Sequence, residues 1–293
     1  MITRIKVEPS QFFKSTERIA AYLNVRFQNK VKRQLMKGQD AFPDKKGNEL
    51  RVKKERFEDG DVYVCESRYN PDAKKAVLFV HGGGGILPPT DYHYDFAIKL
   101  AQSLSCPVHF ARYPLVPQAN AVQSLSWLET YYQNMESRYE QLYIVADSAG
   151  ANLACALCRQ PREKVKGVVL ISPAAGLDRR KEKLAPFEKR DIVLEMRFLD
   201  DMAAQWGKEM ELTDFAINPL YVDYHHFPET LLFYGKHEMF YGVMADLLEK
   251  MKESPNDITC YEGQIHCHDW VLAQMFEESR QALKQIVAFI ERT

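Results

Sequence analysis

The chain has 293 residues, 46% of them hydrophobic, which is enough to bury the core of one large α/β domain. Lys and Arg number 39 against 40 Asp and Glu, so no overall field attracts the chain to nucleic acid or to an anionic membrane. No apolar run approaches a membrane span, and the first residues lack the apolar core of a secretory signal. We therefore expect a cytoplasmic protein whose partner is a small molecule in a pocket; a homodimer is left open.

Residues 1–48 predict a helical segment. Apolar side chains recur among charges at close to helical spacing, at Phe12, Phe13, Ile19, Tyr22, Leu23 and Phe27. Amphipathic helices of this kind need an apolar surface to cover. We predict that residues 1–48 form a helical lid on a main domain that spans residues 49–293.

The main domain is predicted to alternate between short strands and helices. Residues 50–66 alternate around Asp59-Gly60-Asp61, which indicates an antiparallel hairpin. Continuous apolar runs follow at residues 76–80, 107–113, 142–146, 167–172, 230–235 and 257–263. Such runs indicate strands buried on both faces, and the helical stretches between them indicate parallel crossovers. The predicted fold class is α/β, a mostly parallel twisted sheet flanked by helices.

One connection, between residues 172 and 230, is longer than an ordinary crossover needs. It is rich in charge, and its stretch DIVLEMRFLDDMAAQW (191–206) has helical periodicity. We predict that residues 177–213 form a lid insertion above the carboxyl ends of the strands.

The cysteines indicate reduced thiols rather than a disulfide framework, because six in a chain this long do not form a compact pattern. Cys155 and Cys158 form a C-x-x-C inside a predicted helix, with no second pair at a zinc-like spacing. Buried helix packing is therefore favoured over a redox or metal role.

Reactive side chains follow several of the predicted strands at their carboxyl ends, where an open parallel sheet binds its ligands. They are His81 with the glycines 82–85, Asp147-Ser148-Ala149-Gly150, Lys236-His237-Glu238, and the pair His266 and His268.

The four glycines have two competing explanations. A phosphate loop would show G-x-x-x-x-G-K-[S/T], or G-x-G-x-x-G opening into a helix, and neither pattern is present here. A loop without Cβ atoms can instead turn backbone N–H groups toward the negative charge of an acyl-transfer intermediate. Because a serine-centred turn follows later in the chain, an oxyanion hole is favoured.

Ser148 lies where a predicted strand turns into a helix, a position typical of a nucleophile. The known pattern is Gly-x-Ser-x-Gly, and Ala146 replaces its first glycine, so the match is near rather than full. A serine after a strand can also be a helix N-cap. The flanking Ala149 and Gly150, together with the glycine loop, favour the nucleophile.

Three segments together resemble the hormone-sensitive-lipase-like esterase branch of the α/β-hydrolase superfamily, whose patterns include HGGG and GDSAGGNLA. They are HGGGG (81–85), DSAGANLA (147–154) and DFAINPLYVDYHHFPETLLFYGKHE (214–238). YPLVPQ (113–118) is also similar to that family's Y-R-L-A-P-E, with Pro114 in place of the Arg. Two alanines, Ala146 and Ala151, replace family glycines, and Glu238 stands where the family usually has Asp.

The resemblance implies an α/β-hydrolase fold and a serine hydrolase that cleaves carboxylic esters with Ser148 as nucleophile, Glu238 as acid and His268 as base. His268 is followed at the second position by Trp270, as is common in the family, and His266 is the alternative base. The implied oxyanion hole consists of the N–H groups of Gly83, Gly84 and Ala149. No cofactor and no metal is required, and short acyl chains are expected.

Other interpretations remain open at this stage. Glu238 can be an ordinary solvated acid, and the pairs His225-His226 and His266/His268 can be read as metal ligands, although sequence neighbours seldom converge on one ion. The same fold can serve as a non-catalytic receptor for a small molecule, or hydrolyse amides and peptides, because specificity lies in the pocket.

Overall fold

A computed structural model describes residues 1–15, 50–67, 72–104 and 106–292. The strands of these residues form one nine-stranded sheet in the order β1-β9-β8-β7-β6-β4-β5-β3-β2. All neighbouring strands run parallel except the pairs β2–β3 and β3–β5. The strands are β1 (Ile2–Val7), β2 (Leu50–Phe57), β3 (Gly60–Ser67), β4 (Lys75–Val80), β5 (Val108–Arg112), β6 (Gln141–Asp147), β7 (Val165–Ile171), β8 (Thr230–Gly235) and β9 (Ile258–Gly263). The mostly parallel sheet predicted from the sequence is confirmed.

Helices cover both faces of the sheet. They are α1 (Asp91–Leu104), α2 (Ala121–Arg138), α3 (Ser148–Leu157), α4 (Met196–Asp201), α5 (Tyr241–Met251) and α6 (Glu277–Glu291). The apolar sides of α1 and α6 join one core cluster, and those of α2, α3 and α5 join the cluster on the other face. This double coverage explains why the central strands have continuous apolar sequences. Within the described ranges, no helix combines the length and apolarity that a bilayer crossing requires.

The hairpin differs from the prediction in the position of its turn. The strands β2 and β3 are joined by Glu58 and Asp59, with Glu58 at a φ of +50°, whereas Gly60 is already the first residue of β3. A Cβ on Gly60 would lie 2.7 Å from the ring of Trp127. The glycine is therefore required by packing against α2 rather than by the turn.

The predicted helical segment over residues 1–48 begins instead with a strand. Ile2–Val7 pairs in parallel with β9, from Ile2 opposite Ile258 to Val7 opposite Gly263. Helical backbone is present at residues 11–15, where the side chain of Phe13 is buried and that of Phe12 is 63% exposed. The other residues of the predicted amphipathic pattern, Ile19, Tyr22, Leu23 and Phe27, lie outside the described residues.

The predicted lid insertion, residues 177–213, consists of short helical turns. They are Leu177–Arg179, Arg180–Leu184, Ala185–Phe187 and Met202–Trp206, in addition to α4. The helix expected over residues 191–206 starts only at Met196, because the buried carboxylate of Asp191 accepts hydrogen bonds from the N–H groups of Val193 and Leu194 at 2.8 and 3.0 Å and turns the chain there. The insertion packs on the glycine loop, since a Cβ on Gly85 would lie 2.2 Å from the indole of Trp206.

Gly150 fixes how closely α3 approaches β4, since an added Cβ would lie 2.2 Å from the carbonyl oxygen of Val80. At an exposed position of a helix, replacing glycine by alanine stabilises the protein by about 1 kcal/mol. A loss of stability on the same replacement at Gly150 would therefore report the close packing of α3 on β4. We predict that Gly150→Ala lowers the free energy of unfolding by about 1–3 kcal/mol in urea titrations followed by circular dichroism. Val122→Ala, at a position of α2 that is 46% exposed, should change it by less than about 0.5 kcal/mol. A Gly150→Ala protein as stable as the wild type would contradict this packing.

Candidate active site

The sheet topology brings the predicted site residues to one edge. β4, β6, β8 and β9 are parallel, and the glycine loop, Ser148, Glu238 and the loop of His268 each follow the carboxyl end of one of them. These four loops lie at the same edge of the sheet, with β7 between β6 and β8, as expected for a ligand site of a parallel sheet.

Ser148 occupies a strained turn between β6 and α3. Its φ is +48°, a left-handed conformation that is uncommon for a residue with a side chain. The strain is typical of the strand-to-helix turn that exposes a nucleophile above a sheet. The glycine loop packs closely against this turn, because a Cβ on Gly82 would lie 2.3 Å from Oδ2 of Asp147. Ala146 and Ala151, which replace family glycines, are both fully buried, so the packing accommodates their methyl groups.

The imidazole of His268 meets Ser148. Its Nε2 lies 2.9 Å from Oγ of Ser148, and its Nδ1 lies 3.6 Å from Oε2 of Glu238. The second distance is slightly longer than a hydrogen bond. Glu238 is fully buried, and burial raises its pKa to about 7 although the neighbouring His268 opposes the shift. The structure thus brings together the serine, the acid and the histidine that the sequence singled out.

His266 lies on another side of the same loop. Its ring is fully buried between the rings of Phe13 and Trp270, with both centroids 4.5 Å away. Its Nε2 lies 3.6 Å from Oε1 of Glu278, a carboxylate that also accepts hydrogen bonds from Ser10. Burial, with a smaller contribution from His237, lowers its pKa to about 4. His266 therefore packs the N-terminal segment against the loop, whereas His268 contacts Ser148.

The glycine loop lies beside Ser148, since a Cβ on Gly82 would lie 2.8 Å from Cβ of Ser148. Gly83 and Gly84 have φ values of +103° and +67°, which favour glycine. The N–H of Gly82 donates to Oδ2 of Asp147 at 2.9 Å, but in the described part of the chain no hydrogen bond uses the N–H of Gly83 or Gly84. The N–H of Ala149 belongs to the first turn of α3, where intrahelical acceptors are lacking.

Two polar residues of the site were missed by the sequence analysis. Asp269 places Oδ2 3.1 Å from Nε2 of His268, and His93 places Nε2 3.1 Å from Oδ2 of Asp147. The N–H of Thr90 donates to Nδ1 of His93 at 3.0 Å, so the proton of this ring is on Nε2 and is donated to Asp147. Neither position had a spacing signal, because His93 lies in a crossover helix and Asp269 in a loop.

A cavity of about 290 Å³ opens beside Ser148 and His268. Its walls are mostly apolar, and its polar side chains besides Ser148 and His268 include Thr90, Tyr92, His93 and Asp269. One wall comes from the lid insertion, and Phe276 on the opposite wall packs against the ring of Phe13 at 4.9 Å. The apolar wall residues are Leu87, Pro88, Ile192, Val193, Leu194, Phe198, Trp270, Leu272, Ala273, Met275 and Phe276.

Of the histidines considered as metal ligands, His225 belongs to a cluster away from the cavity, whereas His268 contacts Ser148. In the described residues, the one group of three His, Cys, Asp or Glu side chains with ligand-like spacing is Asp223, His225 and Glu253. Asp223 and His225 are largely exposed and contact each other at 2.7 Å, and no member of the group lines the cavity.

Comparison with known proteins identifies the family of the chain. An esterase of Acinetobacter venetianus is 27% identical over 241 residues, which cover 76% of this chain and 77% of that protein. Esterase LipU of Mycobacterium tuberculosis is 25% identical over 231 residues, covering 74% and 77%. The crystal structure of a hormone-sensitive lipase from a metagenome library superposes with a TM-score of 0.78 at 18% identity, covering 97% of this chain and 99% of that one. A family model described as the alpha/beta hydrolase fold matches residues 77–272, well over half of the sequence, and the chain therefore belongs to the α/β-hydrolase-fold family.

Proposed function

We propose that the chain is a carboxylic ester hydrolase that acts through an acyl-enzyme on Ser148. The observation that carries the proposal is the 2.9 Å contact between Oγ of Ser148 and Nε2 of His268 at the wall of a mostly apolar cavity. The relatives from Acinetobacter and Mycobacterium, both named esterases, support the same reaction.

In the proposed mechanism His268 is the base. Its Nε2 takes the proton of Ser148 while Oγ attacks the ester carbonyl, and it then gives that proton to the departing alcohol as the C–O bond breaks. Glu238 holds the ring in the tautomer with a proton on Nδ1 and stabilises the imidazolium that forms. This role requires the 3.6 Å separation between Nδ1 and Oε2 to shorten when substrate binds. Water then cleaves the acyl-enzyme by the same steps.

The proposed oxyanion hole consists of the N–H groups of Gly83, Gly84 and Ala149. The left-handed φ angles of the two glycines support it, because they allow N–H orientations that residues with a Cβ rarely adopt, and no hydrogen bond among the described residues uses either N–H. Each such donor is worth about 3 kcal/mol in the transition state. The fixed amides need no reorganisation when the negative charge forms.

The proposed lid has two parts, the insertion at residues 177–213 and the segment at residues 1–48. The insertion supports this role by supplying Ile192, Val193, Leu194 and Phe198 to the cavity wall. Of the N-terminal segment, Phe12 and Phe13 pack on Phe276, which also lines the cavity. A cavity of about 290 Å³ with walls from both parts favours small acyl groups.

The nucleophile is tested by substitution and by labelling. Ser148→Ala should lower kcat for p-nitrophenyl acetate by at least about 10⁴-fold, because the nucleophile is lost. An organophosphate should add one phosphoryl group to the peptide that contains Ser148, as measured by mass spectrometry. Ser103→Ala, which removes an exposed hydroxyl on α1, should keep full activity. Labelling at another residue, or full activity of Ser148→Ala, would refute the proposal; binding of esters without turnover would make the chain a receptor.

The acyl preference is tested with p-nitrophenyl esters from acetate to palmitate. We predict that kcat/KM for acetate and butyrate exceeds that for palmitate by at least about tenfold, because a cavity of about 290 Å³ cannot enclose a long chain. Emulsified triglycerides of long-chain acids serve as the comparison. Turnover of these fats as fast as that of the short esters would contradict the predicted preference.

A further inference from the structure

Two carboxylates flank the imidazole of His268, one at each ring nitrogen. Glu238 faces Nδ1 at 3.6 Å, on the side where a triad acid is expected. Asp269 faces Nε2 at 3.1 Å, and this same nitrogen contacts Oγ of Ser148 at 2.9 Å. Nε2 carries either one lone pair or one proton, so it cannot serve Asp269 and Ser148 equally well in one protonation state.

The protonation state of Nε2 decides whether this atom forms a hydrogen bond with Ser148 or with Asp269. In the neutral ring with a proton on Nδ1, the lone pair of Nε2 accepts the hydroxyl proton of Ser148. An ionised Asp269 then directs its own electron pairs at that lone pair, which is unfavourable. A proton on Nε2 converts the same contact into a charge-assisted hydrogen bond from His268 to Asp269, a strong interaction in a buried site. That proton must leave for solvent before Ser148 can be activated.

Asp269 is held in place by its backbone. Its φ is +55°, its N–H donates to Oγ of Ser172 at 3.1 Å, and its carbonyl oxygen accepts from the N–H of Leu272 at 3.0 Å. The next residue, Trp270, is buried and starts the helical turn Trp270–Leu272. The side chain is 20% exposed and lines the cavity, so it can exchange a proton with solvent.

The charges around the pair favour the protonated ring. Burial disfavours the imidazolium, but the carboxylates of Asp269 and Glu238 outweigh it, so the pKa of His268 is raised above its ordinary value. Burial raises the pKa of Asp269 to about 6, against the opposing effect of His268. The titratable groups that face the pair are Glu238 after β8, Asp191 in the insertion, Asp147 at the end of β6 and His93 on α1.

We propose that Asp269 is a positioning residue that holds a proton on Nε2 of His268 and thereby sets the pH above which Ser148 becomes reactive. The inference rests on the proposed function of His268 as the base. In the wild type, the base form of His268 is lost as the pH falls through its raised pKa. Removing the carboxylate lowers that pKa, so the reactive form persists to lower pH.

Asp269→Asn tests the proposal with little structural disturbance, because asparagine tolerates the left-handed backbone at this position. Asp269→Gly is a second variant, since glycine also adopts this conformation without strain. We expect the acidic limb of the kcat/KM profile for p-nitrophenyl acetate to move down by at least about one pH unit, a tenfold gain on that limb. The readout is the pH at the midpoint of this limb, and it does not depend on the kcat/KM reached at the plateau of the profile. Asp91→Asn, which removes an exposed charge at the start of α1, should leave the midpoint in place.

A second measurement does not depend on turnover. In the Ser148→Ala background, the ring signals of His268 are titrated by NMR with and without Asp269→Asn, and they are assigned by their loss in His268→Gln. We expect the His268 pKa to fall when Asp269 is replaced. A pKa unchanged in this titration, or raised, would overturn the proposal. Hydrolysis that survives Ser148→Ala would refute the proposed function instead, and the titration would still decide the role of Asp269.

Discussion

The contact between Ser148 and His268 is the interaction on which the rest of the site depends. The two residues are 120 positions apart and follow β6 and β9, which are separated in the sheet by β7 and β8. A shift of one residue in any of these strand pairs would move the carboxyl ends and separate Oγ from Nε2. The pairing and burial of these four strands therefore set the geometry of the site, and the left-handed turn at Ser148 is tolerated because that packing holds it.

Four buried or half-buried carboxylates surround one imidazole, and each is held differently. Asp147 accepts from the N–H of Gly82 and from His93, which ties the glycine loop to the turn of Ser148. Asp191 accepts from three backbone N–H groups, including that of Met239 beside Glu238 at 2.9 Å. It therefore links the lid insertion to the loop of the acid. Among the described residues no backbone N–H donates to the carboxylate of Glu238 or Asp269, and both carboxylates face His268, so a protonated ring offsets part of their charge.

The features that follow from local sequence were predicted, and those that depend on distant partners were not. Continuous apolar runs predicted the six central strands because burial on both faces leaves a direct mark on the sequence. Ser148, Glu238 and His268 were singled out because they follow predicted strands and match the motifs of the resembled family, and the structure brings their side chains together. The strand β1 was read as part of a helical segment, since its pairing with β9 joins residues from opposite ends of the chain. The role of Gly60 depends on Trp127, which only the folded chain brings near. Asp269 directly follows His268 in the sequence, but the short contact of its carboxylate with Nε2 occurs in a left-handed backbone conformation that the sequence does not reveal.

The most direct test of the account compares the two histidines of one loop. His268→Ala and His266→Gln are assayed on p-nitrophenyl acetate, with folding checked by circular dichroism. The account predicts that His268→Ala loses at least about 10³-fold in kcat, because among the described residues only this base contacts Ser148, and that His266→Gln retains kcat within about tenfold. The account would be contradicted if the His266→Gln protein were folded but inactive and the His268→Ala protein kept a near-normal kcat.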